Sequence, residues 1–226
     1  MPHNRSKPGD RTGKILERLN ARYPIVKTQL THSNAFQLLV ATILSAQCTD
    51  RQVNLVTGEL FKHLKTPEDF ADAPIGTIEA LIRSTGFYKN KARHLKNCAR
   101  HLIEQFDGKV PEALEDLVSL PGVGRKTANV VRGAIYGEPA IVVDTHVARI
   151  SRRLGLTVNT NAEKIEYDLM EVIPEPLWND FSLWLIYFGR EICLARKPAC
   201  PECFLADLCP WPEKIIDYRR LPLRAS

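Results

Sequence analysis

Apolar residues recur at three- and four-residue intervals along nearly the whole 226-residue chain, the period of an α-helix that buries one face. Ile15, Leu16 and Leu19 follow Asp10; Phe36, Leu39, Ile43 and Leu44 follow Asn34; Val53, Val56, Leu60 and Phe61 follow Asp50. Each stripe thus begins behind a polar residue able to cap a first turn. Further stripes run through Ile78, Leu81 and Ile82, through Leu95, Cys98, Leu102 and Ile103, and through Leu114, Leu117 and Val118. Others span about 125 to 136, then Val147, Ile150 and Leu154, and finally Leu177 to Phe188, which Gly189 is expected to end. The short β-branched run Ile141-Val142-Val143 reads as an extended connection after the breakers Gly137, Glu138 and Pro139. The spacing predicts an all-α protein with a boundary at 137–139.

The chain is 44% apolar and 25% charged, with 12 Gly and 15 Pro, which excludes collagen-like, low-complexity and largely disordered chains. The first fourteen residues hold no apolar signal core, and no apolar run approaches the ~18 residues of a membrane span. A soluble, cytoplasmic protein without membrane contact is expected. The net charge of +5 and pI near 8.9 allow a polyanionic partner, although many metabolic enzymes are as basic. The tail 218–226 carries three arginines and is expected to be poorly ordered.

Cysteine is unevenly used. Cys48 and Cys98 stand alone, whereas Cys193, Cys200, Cys203 and Cys209 fall within seventeen residues. With no export signal, and with a chain long enough to build a core without staples, a metal centre is preferred over disulfides. Four thiolates suit either tetrahedral zinc or an iron–sulfur cluster. Arg196 and Lys197 lie between the first two of these cysteines, where a metal-fixed basic loop could meet phosphates with little loss of entropy.

The segment Leu120-Pro121-Gly122-Val123-Gly124-Arg125-Lys126 joins two helical stripes, and its glycines permit a very tight turn. Opening a helix at Gly124 or Arg125, it would present unpaired N–H groups of Gly122, Val123 and Gly124 to a phosphate. It is not a nucleotide P-loop: the Walker spacing is absent, Arg125 interrupts it and no strand precedes it.

Taken together, LPGVGRKTANVV from Leu120, VDTHV at 143–147 and C-x6-C-x2-C-x5-C at 193–209 resemble the endonuclease III family of helix-hairpin-helix DNA glycosylases. The likeness extends from about Val26 to Lys214 and includes LLVATILSAQCTD at 38–50 and TGFYKNKA at 85–92. The resemblance implies a two-lobed all-α fold with a cleft. A helical-barrel lobe at 27–138 carries the hairpin, and 1–26 with 139–226 forms a discontinuous lobe whose cluster loop spans 193–209. It implies one [4Fe–4S] cluster on Cys193, Cys200, Cys203 and Cys209, and a monomer that acts on damaged double-stranded DNA.

The roles of single residues also come from the resemblance. Lys126, otherwise read as a solvated or phosphate-contacting side chain, becomes the amine that attacks the sugar and forms a Schiff base. Asp144, otherwise a helix cap, helps expel the base and move protons, while His146 either orients it or makes a structural hydrogen bond. Gln47 matches a residue that fills the space left by an extruded nucleotide. Phe87 matches an aliphatic wedge, with burial in the core as the competing reading. Cys48 and Val118 depart from the residues expected beside this site. The implied reaction is excision of oxidised pyrimidines with strand cleavage by β-elimination. The competitors are another lesion in the same superfamily, such as a mismatched adenine or a pyrimidine dimer, and a catalytically silent DNA-binding module.

Overall fold

The computed structural model describes residues 8–214; the basic tail at 218–226 lies outside them. Helix α1 (Pro8–Arg22) is followed by α2 (Ala35–Leu44), α3 (Asp50–His63), α4 (Pro67–Asp72), α5 (Ile75–Ile82), α6 (Tyr88–Phe106), α7 (Leu114–Ser119), α8 (Arg125–Val131), α9 (Thr145–Arg153), α10 (Ala162–Val172) and α11 (Trp178–Glu191). No strand occurs among the described residues, and Ile141–Val143 is a connection outside any helix. The fold is all-α. The chain divides into two compact units, Thr28–Ala140 and the described residues on either side of it, each with its own apolar core.

Within Thr28–Ala140, α2 is the central helix. Its residues from Leu38 to Leu44 are all buried, as expected of a helix that is apolar nearly all round, and Asn34 caps it by accepting from Gln37 N at 2.9 Å. Phe36 meets Phe70 of α4 edge to face at 5.4 Å, an arrangement favoured by the ring quadrupoles. Helix α6 contributes the buried stripe Leu95, Cys98 and Leu102. Burial pushes the Cys98 thiol up to about 12, so it stays protonated and serves as a small apolar side chain. A π-helical turn, Arg132–Tyr136, continues α8 until Gly137 closes it at φ +72°.

In the other unit α1 packs against α11: Trp184 Nε1 donates to Tyr23 O at 3.0 Å, and Tyr23 Oη donates to Glu191 at 2.7 Å. Gly189 does not end α11, which runs on to Glu191. A Cβ at Gly189 would lie 2.6 Å from His146 Nδ1 and 2.8 Å from Ile150 Cδ1. Glycine here admits α9 close against α11. The short α4 and the amphipathic α10 add to the helices expected from periodicity. Both carry start signals: a capping box between Thr66 and Asp69, and Asn161 accepting from Glu163 N and Lys164 N.

Candidate active site and cysteine loop

The hairpin between α7 and α8 turns on Val123 N donating to Leu120 O at 3.0 Å, so the Val123 amide, expected from the sequence to meet a phosphate, is instead committed to closing the turn. Gly122 has φ +82°, and a Cβ there would stand 2.7 Å from His94 Cβ on α6. Because that atom lies next to the helix backbone, it cannot swing aside. Gly124 is the N-cap of α8 and offers no side-chain cap, and the first amides of a helix lie beyond its own i→i−4 ladder. Lys126, its second residue, is exposed. Gly122→Ala is expected to cost about 2–4 kcal/mol from backbone strain plus the clash. Gly124→Ala, with φ −96° and nothing within 4 Å of the new Cβ, should cost less than about 1 kcal/mol. Urea unfolding of the two variants measures the contrast.

Asp144 caps α9. Its Oδ1 accepts from His146 N and Val147 N, both at 2.8 Å, which fixes the carboxylate at the positive end of the helix. Both bonds fall on Oδ1 and leave Oδ2 outside the cap. The cap and the acid expected from the sequence are therefore compatible in one side chain. His146 places Nδ1 3.2 Å from Arg149 Nη2 and sits against Gly189, which favours the structural role over orientation of Asp144. Arg149 is half-buried and also donates to Cys193 O at 2.9 Å and Gly189 O at 3.3 Å. Burial pulls its guanidinium down from the usual arginine range, opposed by the neighbouring Cys193 and Asp144.

Cys193, Cys200, Cys203 and Cys209 line one small cavity of about 30 Å³ together with Arg153, Trp211 and Lys214. Among the described residues no three His, Cys, Asp or Glu side chains converge as a single-ion site; the thiols surround a volume. Two cations and no carboxylate border it, a donor set that fits an anionic thiolate-bound group. Burial pushes the bare Cys203 thiol up to about 11 and raises Cys209 as well, so ligation must overcome a desolvation cost. Arg153 donates to Cys193 Sγ at 3.3 Å and to Leu194 O at 2.7 Å, and stacks 4.0 Å over Trp211. Lys214 donates to Cys209 O at 2.7 Å, and Arg18 to Phe204 O at 2.8 Å. Sequence reasoning missed these clasping cations; the clue was the basic spacing Arg149, Arg152 and Arg153 on α9.

Four non-glycine residues among those described have left-handed backbones: Gln47 (φ 53°), Phe87 (48°), Asp107 (51°) and Lys197 (49°). Asp107 ends α6. The other three are residues singled out from the sequence as DNA contacts, and strain of ~1–3 kcal/mol per residue collects at functional sites. Gln47 is exposed and lies beyond α2, which stops at Leu44 rather than continuing to it. Phe87 is 65% exposed, which overturns its reading as a core residue. Arg196 and Lys197 are also exposed. Cys48 is half-buried against the α2 core, and Val118 is exposed on α7.

Two family models match the chain: the HhH-GPD superfamily base excision DNA repair protein over 40–175, and the iron-sulfur binding domain of endonuclease III over 193–209. Endonuclease III of Synechocystis is 51% identical over 88% of this chain and 92% of its own length. That of Escherichia coli K12 is 41% identical over 89% and 96%. A solved non-covalent endonuclease III–DNA complex superposes with a TM-score of 0.86 at 43% identity, covering 89% of this chain and 95% of that one. A trapped endonuclease III–DNA covalent intermediate gives 0.85 at 43%, covering 88% and 95%.

Proposed function

Because the chain belongs to the endonuclease III family of helix-hairpin-helix base excision repair proteins, we propose that it removes oxidised pyrimidines from duplex DNA and then nicks the strand. It is a DNA glycosylase and AP lyase of base excision repair. The observation that carries the residue assignment is the exposed Lys126 at the start of α8, directly after the glycine hairpin. A damaged nucleotide must leave the stack before its sugar carbon can be reached. Gln47 and Phe87, exposed on strained turns, are assigned to hold the vacated duplex open. The amides of Gly122 and Gly124, with Arg196 and Lys197, are assigned to phosphates.

The proposed chemistry divides between two residues. As the glycosidic bond breaks, positive charge develops on the sugar, and the Asp144 carboxylate stabilises it while the base leaves with its bonding electrons. The neutral Lys126 amine forms a bond to C1′, and the ring opens to an imine. Loss of a C2′ proton then expels the 3′ phosphate oxygen, and water releases the unsaturated sugar from Lys126.

The chain carries an iron–sulfur binding domain; we assign it one [4Fe–4S] cluster on Cys193, Cys200, Cys203 and Cys209. When bound, that group cross-links the loop from which Arg196 and Lys197 project. Anaerobically purified protein should contain about four irons and four sulfides per chain; stoichiometric zinc without sulfide would refute the assignment. The protein is proposed to work as a monomer, in the cytoplasm where the DNA is. Incubation with duplexes that each carry one lesion tests the substrate reading. Oxidised pyrimidines should yield free base and a nicked strand, and nicking confined to mismatched adenine or pyrimidine dimers would contradict it.

A further inference from the structure

Lys91 is only 5% exposed although the helix around it is basic. Its ammonium donates to Leu44 O and to Thr85 O, each at 2.8 Å. Leu44 is the last residue of α2, three before Gln47, and Thr85 lies two residues before Phe87. One buried cation therefore joins the bases of the two turns that carry the left-handed Gln47 and Phe87. Gln52 Nε2, in the first turn of α3 beyond the Gln47 turn, donates to Ser84 Oγ at 2.8 Å and ties the far side of that turn to the segment before Phe87.

Burying an ammonium costs free energy unless it is well partnered, and here desolvation pulls Lys91 below the usual lysine range. Position 91 continues the stripe of Leu95, Cys98 and Leu102, where an apolar side chain would pack without that cost. An apolar residue could not bond two carbonyls from separate segments and so set the distance between them. The carbonyl at the end of α2 is also the negative pole of that helix, which favours a cation there.

We propose that Lys91 is a positioning residue that clamps the Gln47 and Phe87 turns at one spacing, so that both side chains enter the duplex together. The clamp rests on the assignment of those two residues to the opened duplex. Lys91 touches no reacting atom and acts only through them.

The test is single-turnover base release from a lesion in paired duplex and from the same lesion in a single strand, with melting temperatures read in parallel. Lys91→Met should lose about tenfold or more on the duplex and less than about threefold on the single strand, because only a stacked helix must be held open. Lys91→Gln, whose amide can still reach a carbonyl, should recover part of the loss and carries the same comparison should Lys91→Met fail to fold. In a Gln47→Ala, Phe87→Ala background, Lys91→Met should add less than about twofold, since residues acting through one another are not additive. Equal losses on both substrates, or an undiminished further loss in that background, would overturn the clamp. Wild-type duplex rates in Lys91→Met beside a clear duplex loss in the double variant overturn the clamp alone. A double variant with no duplex-specific loss overturns the assignment of Gln47 and Phe87, and the clamp with it.

Discussion

Asp144→Asn is expected to slow base release from a damaged duplex by ~10²-fold or more, equivalent to about 2.7 kcal/mol of lost transition-state stabilisation. The substitution keeps the shape of the side chain and an oxygen that can accept from His146 N and Val147 N. Because Asn caps helices about as well as Asp, the unfolding free energy should move by less than about 0.5 kcal/mol. A catalytic loss without a stability loss separates the charge from the cap. On a preformed abasic site base expulsion has already occurred, so the variant should be far less impaired there. A rate loss that tracks unfolding, or that is equal on both substrates, would reduce Asp144 to a structural residue.

Much of this site is legible in the sequence because its parts are local. A cap, a glycine hairpin and four spaced cysteines are each set by a few neighbouring residues, and the same is true of the apolar stripes that mark most helices. What is not local was misread or missed. Gly189 resembles a helix stop in sequence, yet it is glycine because α9 passes too close for a Cβ. For Phe87 the sequence left core burial open beside the wedge, and the turn before α6 removes that alternative by holding it out on a left-handed backbone. Lys91 reads as one more basic residue of α6; only its register with Leu95 and Cys98 hinted at burial, and its two carbonyl partners come from elsewhere in the chain. Likewise Arg153 reaches the cysteine loop from α9 through tertiary packing.

The second large effect concerns Lys126, on which the lyase assignment depends. Lys126→Gln retains a polar side chain of similar reach on the first turn of α8, so the hairpin and its amides are undisturbed and affinity for damaged duplex should stay within about threefold, since removing one exposed side chain leaves the backbone phosphate contacts in place. No amine remains there to bond C1′, and the path to β-elimination closes. Cleavage should fail on damaged duplex and on abasic DNA alike, in contrast to Asp144→Asn. The most direct measurement is borohydride reduction during turnover on damaged duplex, which turns an imine into a stable protein–DNA cross-link. The wild-type protein should give a cross-linked species whose modified peptide contains Lys126, and Lys126→Gln should give none. A cross-link at wild-type yield in Lys126→Gln would place the nucleophile on another amine and contradict the account.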